Sequence, residues 1–293
     1  EDEQKHVRFQ RMLPQQQEAF RNESAALGDR AGASTGIRLD FYTNSHSLLL
    51  EVSSPSKCEI LVNGLQCKTF SGPLRITVSL PDDTNRVTVL FADHSPTVLR
   101  FVQLDEGSYV KPYIYDRKFL FLGDSITQGA SSSRPSLQYA NRISQFFNAQ
   151  VMNWGVGSSF FTPDTLAQVP FDPDVVFIAY GTNDYTHFKS KEALILAAEE
   201  YMQRVKALFP NKTIIYISPL WRADGELIRP TGNHRQVCDL LRSIAANCGF
   251  TLIEGYTLLP HCEELFNDQH LHPNDLGFSL YAQNLISQLS AYI

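Results

Sequence analysis

The chain has 293 residues, of which 43% are hydrophobic, 19% charged and 11% aromatic, and this globular composition excludes a disordered, collagen-like or long coiled-coil protein. Its 25 basic and 31 acidic residues give a formal charge of −6, which argues against a nucleic-acid binder or a protein held on an anionic membrane surface. No segment approaches the roughly 20 consecutive apolar residues that cross a membrane.

The amino terminus and the cysteines bear on the compartment. The first residues are acidic and form no apolar signal core, yet the chain lacks an initial Met, so a signal peptide could have been removed. Five sparse cysteines without CxxC spacing predict neither a disulfide framework nor a zinc site. A reducing, cytoplasmic compartment is slightly favoured, a secreted or periplasmic one is the alternative, and the oligomeric state is left open.

The first part of the chain predicts β-structure. Residues up to 30 are polar and Gln-rich, which indicates an irregular or partly helical lead-in. Asn63-Gly64 between apolar flanks indicates a hairpin, because a type I′ turn needs positive φ at both central residues. Short alternating strands are predicted at residues 37–43, 47–52, 77–80 and 86–91. This spacing predicts a β-sandwich, jelly-roll-like domain over residues 1–115.

From residue 116 to residue 293 the pattern changes to alternating strands and helices. Apolar strands are predicted at residues 118–122, 150–154, 175–180, 213–218 and 250–254. Amphipathic helices are predicted from Leu137, from Leu194 after a cap at Ser190, from Val237 and from Asn274. Such alternation predicts a parallel sheet covered by helices on both faces, with its site at the carboxyl ends of the strands.

Two strand ends carry residues suited to acyl transfer. Ser125 lies in Gly123-Asp124-Ser125 just past the first parallel strand. It is either a nucleophile beside the N–H groups of a helix start or an ordinary helix cap. Asn183 follows the third strand in Gly181-Thr182-Asn183-Asp184, where its amide is either an oxyanion donor or part of a turn.

Two further loops complete the candidate set. Gly157 and Ser158 follow the second strand, where small residues let a backbone approach a ligand. Asp268, His270 and His272 precede the last helix, as a candidate base with an orienting carboxylate or as a solvated turn.

The blocks Gly-Asp-Ser, the Gly-containing turn, Gly-x-Asn-Asp and Asp…His-Pro occur in one order. In this the chain resembles the SGNH (GDSL) hydrolase family over roughly residues 118–293. The resemblance implies a flavodoxin-like three-layer α/β/α domain and ester hydrolysis without metal or cofactor. It implies Ser125 as nucleophile, His272 as base, and an oxyanion hole of the Ser125 N–H, a second-block N–H and the Asn183 side chain.

The chain departs from the family pattern in two places. The family usually places its carboxylate three residues before the His, and here that residue is Gln269, whereas Asp268 stands four before. Either an extra loop residue brings Asp268 to His272, or a backbone carbonyl orients His272 in a Ser-His dyad. The second-block donor is either Gly157 or Ser158, because the block is shifted by one residue.

The expected activity is that of a serine esterase acting on short acyl groups, most of all acetyl groups, on a carbohydrate. A jelly-roll-like domain before an SGNH domain is similar to the arrangement in two-domain carbohydrate acetylesterases. Trp221, Arg222 and Tyr180 lie on or beside the loop edge and are the candidate substrate contacts. The alternatives are a lysophospholipase or thioesterase of the same family, or a non-catalytic carbohydrate-binding protein. No nucleic acid and no membrane is expected as a partner.

Overall fold

The computed structural model describes residues 6–92, 94–168 and 170–293. The strands are β1 (Val7–Arg8), β2 (Arg38–Thr43), β3 (Ser47–Val62), β4 (Leu65–Ser79), β5 (Asn85–Leu90), β6 (Val98–Leu104), β7 (Lys111–Pro112), β8 (Arg117–Gly123), β9 (Ala149–Gly155), β10 (Val175–Ala179), β11 (Thr213–Ile217) and β12 (Thr251–Ile253). The α-helices are α1 (Pro14–Glu23), α2 (Ala25–Ala31), α3 (Ser125–Gln128), α4 (Tyr139–Phe146), α5 (Asp184–His187), α6 (Lys191–Leu208), α7 (His234–Asn247) and α8 (Asp275–Leu289). Short 3-10 helices occupy Pro135–Leu137, Pro163–Thr165, Gly255–Thr257 and Glu263–Leu265.

The carboxyl-terminal part forms a five-stranded sheet in the order β9-β8-β10-β11-β12, with every neighbouring pair parallel. This is the flavodoxin-like order, and it brings the strand ends to one edge. Successive residues of a strand point to opposite faces, so Leu120 packs towards α6 and α7 whereas Phe121 packs towards α4 and α8. The predicted three-layer α/β/α architecture is confirmed.

The helices follow the apolar periodicity of the sequence. Helix α6 begins after Ser190, whose hydroxyl accepts a hydrogen bond from the Ala193 N–H at 3.1 Å. Helix α8 begins after Asn274, whose side chain accepts from the Gly277 N–H at 3.0 Å. The cap at Ser190 and the start of the last helix at Asn274 were predicted. In the part of the chain that the structure describes, no helix is both long and apolar enough to span a membrane.

The amino-terminal strands form one curled antiparallel sheet in the order β1-β6-β3-β5-β2-β7, with β4 paired to β3, consistent with the predicted jelly-roll-like domain. The turn at Asn63-Gly64 has φ values of 52° and 80°, as a type I′ hairpin requires. Strand β3 is longer than predicted: it pairs with β6 up to Ser53 and with β5 from Glu59, across an irregularity between Ser54 and Cys58.

The polar lead-in is helical, and it packs on the parallel sheet. Pro14 occupies the first turn of α1, and the Ser24 hydroxyl caps α2 by accepting from the Leu27 N–H at 3.2 Å. Met12, Phe20 and Leu27 are buried in the same core as strands β8 and β10. The lead-in therefore completes a layer of the parallel-sheet core, although antiparallel strands separate it from that sheet in sequence. The boundary at residue 115 stays a prediction.

A buried glutamate of the antiparallel sheet binds the segment that follows α3. Glu59, on β3, is fully buried and accepts hydrogen bonds from the N–H and the hydroxyl of Ser136 at 2.8 and 2.9 Å. Arg134 lies 3.4 Å from the same carboxylate. A buried carboxyl group needs such hydrogen-bond partners in place of the water that it loses. The antiparallel sheet is thus fixed to the segment that follows α3.

Candidate active site

Ser125 is held where β8 ends and α3 begins. Strand β8 runs to Gly123, and Asp124 caps α3 by accepting from the Ile126 N–H at 2.9 Å. A Cβ at Gly123 would lie 2.1 Å from the Thr127 hydroxyl, so the tight turn needs glycine. Ser125 is only 8% exposed, and it lies at the carboxyl edge of the sheet.

His272 bridges Ser125 and Asp268. The Ser125 Oγ lies 2.9 Å from His272 Nε2, and His272 Nδ1 lies 2.7 Å from Asp268 Oδ2. An ionised carboxylate only accepts hydrogen bonds, so Nδ1 carries the proton and Nε2 accepts from the Ser125 hydroxyl. The three side chains therefore form one directed chain of hydrogen bonds, arranged for removal of the serine proton.

The backbone of the His272 loop accommodates the extra residue between Asp268 and His272. The Asn267 N–H donates to the His272 carbonyl at 2.8 Å, next to an antiparallel bridge between Phe266 and Pro273. Gln269 has φ of 55°, a left-handed conformation that folds one residue out of the loop. This fold brings Asp268 within hydrogen-bond distance of His272, in spite of the four-residue spacing.

Asp268 is held as an anion by its own loop. Its Oδ1 accepts from the N–H groups of His270, Leu271 and His272 at 3.1, 2.7 and 3.0 Å. Partial burial alone would raise the pKa of Asp268, but the hydrogen bonds from the Leu271 N–H and the His272 ring lower it well below its ordinary value. The Asp268 carboxylate is therefore ionised at neutral pH.

His270, the lesser candidate base, turns away from Ser125. Its Nε2 lies 3.2 Å from a guanidinium nitrogen of Arg222, and its carbonyl accepts from the Ala223 N–H at 3.0 Å. The His270 side chain and carbonyl therefore tie the His272 loop to the loop after β11.

The second-block loop faces Ser125 from the other side. The Gly157 N–H donates to Gln128 Oε1 at 2.6 Å, so it is already used within the protein. Within the described residues, neither the Ser125 N–H nor the Ser158 N–H donates to a protein acceptor. Of the two alternatives for the second donor, this geometry favours Ser158. A Cβ at Gly157 would lie 3.7 Å from the Ser125 Cβ, which shows how near this loop comes.

Asn183 lies at the end of the third strand with its amide fixed. One N–H of its side chain donates to the Ser159 carbonyl at 2.9 Å. An amide nitrogen carries two hydrogens, so the second N–H is available to a ligand. This N–H is the donor that the predicted oxyanion hole of Asn183, Ser158 and Ser125 needs, and the three roles stay predictions.

Two of the candidate substrate contacts, Tyr180 and Arg222, have buried side chains. Tyr180 is 1% exposed, with its ring packed against Phe161 and Tyr201 in the core. Arg222 is 4% exposed, and its guanidinium donates to the Thr182 carbonyl at 2.8 Å and pairs with Asp224. The strand end gives the position of a residue but not the face to which its side chain turns. Both side chains support the loops of the site through packing and hydrogen bonds.

Trp221 is half-buried and keeps its candidate role as a prediction. Its indole stacks on His261, with ring centres 5.5 Å apart, and packs near Phe266. Among the described contacts none joins Trp221 to Ser125 or His272, so its place in a substrate pocket remains untested.

Two buried carboxylates lie close to the site. Asp184 is fully buried, with Oδ1 accepting from the Phe161 N–H at 2.8 Å and Oδ2 without a described partner. Burial raises the pKa of Asp184 to about 7, and it raises the pKa of Asp124 to about 7 as well. The side chain of Asp124 is the cap of α3 described above.

Three polar side chains behind the second-block loop were missed. Gln128 follows the serine on α3, and Arg11 and Arg30 belong to the lead-in. Arg11 donates to the carbonyls of Asn153 and Gly155 at 2.7 Å each. These contacts join residues more than a hundred positions apart, and no local pattern in the sequence signals them.

Known proteins share this architecture. A flavodoxin-like sheet with a Gly-Asp-Ser turn at its carboxyl edge defines an SGNH-type hydrolase. The family model described as "GDSL-like Lipase/Acylhydrolase family" matches residues 121–280. The chain therefore belongs to the GDSL-like lipase/acylhydrolase family. No curated protein matches the sequence.

Solved structures resemble the whole chain at low identity. The salicylyl-acyltransferase SsfX3 from a tetracycline biosynthetic pathway has a TM-score of 0.85 and 15% identity, covering 99% of this chain and 91% of its own. A GDSL-like lipase from Bacteroides ovatus has a TM-score of 0.74 and 16% identity, covering 98% and 97%. A family two carbohydrate esterase from Clostridium thermocellum, solved with cellohexaose, has a TM-score of 0.70 and 16% identity, covering 88% and 93%. Both sheets of this chain thus recur together in other proteins.

Proposed function

We propose that the protein hydrolyses short-chain esters, most of all acetyl esters, carried by a carbohydrate. In this proposal Ser125 is the nucleophile, His272 the general base and Asp268 the residue that orients His272. The observation that carries it is the hydrogen-bonded chain from Ser125 through His272 to Asp268. A triad is proposed instead of a Ser-His dyad with a backbone carbonyl as the orienting group, because Asp268 Oδ2 lies 2.7 Å from His272 Nδ1.

The proposal assigns a group to each step of hydrolysis. His272 takes the Ser125 proton as the serine oxygen attacks the ester carbonyl. The carbonyl oxygen becomes an oxyanion, which the N–H groups of Ser125 and Ser158 and the Asn183 amide stabilise. His272 then protonates the leaving alcohol, and a water molecule activated by His272 releases the acid and restores Ser125.

The carbohydrate part of the proposal depends on the architecture. The Clostridium thermocellum esterase, which shares both sheets, was solved with cellohexaose. Another structure of the same fold, an acetyl xylan esterase from Butyrivibrio proteoclasticus, has a TM-score of 0.64 and 15% identity, covering 86% of this chain and 89% of its own. Short acyl groups on sugars are therefore the first substrates to test.

The decisive experiment compares p-nitrophenyl esters of two, four and eight carbons, using the wild type and Ser125→Ala. We expect the acetyl ester to be hydrolysed fastest and the variant to lose all but background activity. Hydrolysis of acetylated xylan and acetylated cello-oligosaccharides then tests whether the alcohol part of the ester substrate is a carbohydrate. A preference for the eight-carbon ester would favour a lysophospholipase or thioesterase. Equal traces in both proteins, with binding of unmodified oligosaccharide, would favour a non-catalytic binding protein.

Acyl transfer is a second candidate function, because a salicylyl-acyltransferase covers nearly the whole chain at a TM-score of 0.85. The same acyl-serine would then be attacked by a hydroxyl of an acceptor instead of water. Adding increasing concentrations of a sugar or phenol acceptor to the acetyl-ester assay distinguishes the two. A hydrolase releases acetate throughout, whereas a transferase replaces acetate by the acylated acceptor.

A further inference from the structure

The turn that presents the Ser158 N–H has a strained backbone. It spans Val156 to Ser159 and is closed by a hydrogen bond from the Ser159 N–H to the Val156 carbonyl at 3.0 Å. Ser158, its third residue, has φ of 66°, whereas Gly157 is not left-handed. This is a type II turn, which favours glycine or asparagine at that position. A serine there is strained, because its Cβ approaches the following carbonyl oxygen.

A type I turn is the relaxed alternative, and the two types differ by a flip of the central peptide. The central peptide here joins Gly157 to Ser158. In a trans peptide the carbonyl and the N–H point in opposite directions, so the direction of the Gly157 carbonyl fixes that of the Ser158 N–H. A flip would turn the Ser158 N–H away from its present direction and leave the oxyanion one donor short.

One side chain holds this peptide by a hydrogen bond to its carbonyl. Arg30, at the end of α2, donates from Nη1 to the Gly157 carbonyl at 2.9 Å. The preceding peptide is fixed as well, because the Gly157 N–H donates to Gln128. The Arg30 backbone is itself anchored, since its carbonyl accepts from Arg11 at 2.9 Å. Arg30 bonds only the type II arrangement, since a flip would remove its acceptor.

We propose that Arg30 is a positioning residue for the oxyanion hole, and that it holds the Gly157–Ser158 peptide in the type II orientation that presents the Ser158 N–H to the reacting carbonyl oxygen. The lead-in thereby takes part in stabilising the transition state without contacting substrate. The inference rests on the proposed function, because it needs Ser125 to form a tetrahedral intermediate.

The test uses the full chain and p-nitrophenyl acetate, with active sites counted by a fluorophosphonate that labels Ser125. Arg30→Met keeps the aliphatic stem and removes the hydrogen bond. We expect kcat to fall about tenfold or more, short of the hundredfold or greater loss when an oxyanion donor is deleted outright, with KM within twofold. Arg30→Lys, which can still donate, retains most of kcat.

The double variant Arg30→Met/Ser158→Gly makes the test specific. Glycine keeps the N–H but adopts positive φ at no steric cost, so the type II turn no longer needs Arg30 and kcat should recover most of its loss. Arg21→Met is the matched control, because Arg21 is an exposed arginine of the lead-in that pairs with Asp29. Its kinetics should equal those of the wild type.

Three results would overturn the inference: an unchanged kcat in Arg30→Met, a loss that appears only in KM, or a loss that Ser158→Gly does not restore. A loss in KM alone would mean that Arg30 contacts substrate. These failures are distinct from failure of the proposed function, which would appear as an inactive wild type. Melting temperatures of all variants check the fold, and the glycine rescue decides the matter even where Arg30→Met is less stable.

Discussion

The two sides of Ser125 are built in opposite ways. On the base side, Asp268 and His272 belong to one short loop, and the loop's own N–H groups saturate the carboxylate. On the oxyanion side, the Gly157 peptide is held by Gln128 from α3 and Arg30 from the lead-in. The proposed base is positioned locally, whereas the proposed oxyanion donor is positioned by residues far apart in sequence. Damage to distant parts of the chain should therefore affect the oxyanion side first.

The base side should show the largest loss. We expect His272→Ala to lower kcat by on the order of 10⁶-fold and Asp268→Ala by about 10⁴-fold, because serine hydrolases lose more with the base than with its orienting carboxylate. The measurement is kcat for p-nitrophenyl acetate at constant pH. The control is His270→Ala, in which activity should remain within tenfold. A larger loss in His270→Ala than in His272→Ala would reassign the base.

The oxyanion side should show a smaller loss. Asn183→Ala removes one donor and should lower kcat about 10²- to 10³-fold, with little change in KM. Steady-state kinetics on the acetyl ester measure this effect. If KM rose instead while kcat stayed constant, Asn183 would bind the ground state, and the comparison between the two sides would lose its basis.

Crowding the second-block turn should cost less again. A Cβ at Gly157 would lie 3.3 Å from both the Arg30 Cδ and the Gln128 Oε1. Gly157→Ala should therefore push both side chains back by a few tenths of an ångström and lower kcat by about tenfold, within the range seen for small misplacements. Full activity in Gly157→Ala would show that the grip on the turn tolerates displacement.

Asp184, which follows Asn183, and Asp268, on the base side, affect the pH dependence of folding in opposite directions. Burial raises the pKa of Asp184 to about 7, from about 4 in an unfolded chain. Between these pH values the folded protein holds a proton that the unfolded chain has released, so the free energy of unfolding decreases as pH rises from about 4 to 7. Asp268 has a lowered pKa, and its contribution is instead lost as pH falls below about 4.

Asp184→Asn imitates the protonated acid and should remove part of that decline. We expect the difference in unfolding free energy between pH 5 and pH 7.5, measured by urea denaturation, to be smaller in the variant than in the wild type. Some decline should persist, because the pKa of Asp124 is also about 7. An identical difference in both proteins would contradict the prediction.

Sequence reasoning was strongest where structure is local. Buried parallel strands appear as continuous apolar runs, and caps such as Ser190 and Asn274 stand directly before their helices, so the three-layer domain could be predicted. The site residues Ser125, Asn183 and His272 belong to short motifs, and the structure brings Ser125 and His272 into contact. Their catalytic roles stay proposals.

The rest depended on contacts that no local pattern encodes. The orientation of Tyr180 into the core follows from the packing of α6, and the grip of Arg30 on Gly157 joins residues 127 positions apart. Strand β6 and the middle of β4, between the predicted hairpin and the strand predicted at residues 77–80, were not predicted, because their side chains are mostly exposed.

The interleaved order of the chain has a consequence for its synthesis. Helices α1 and α2 leave the ribosome before the sheet on which Met12, Phe20 and Leu27 pack, because that sheet is made only after residue 116. At ordinary elongation rates, the roughly 120 residues between Gly36 and Gly155 take on the order of 10 s to appear. For that interval the lead-in exposes its apolar face while the antiparallel sheet can already close. Chaperone capture of nascent chains should therefore concentrate on this window and decline once β9 has emerged.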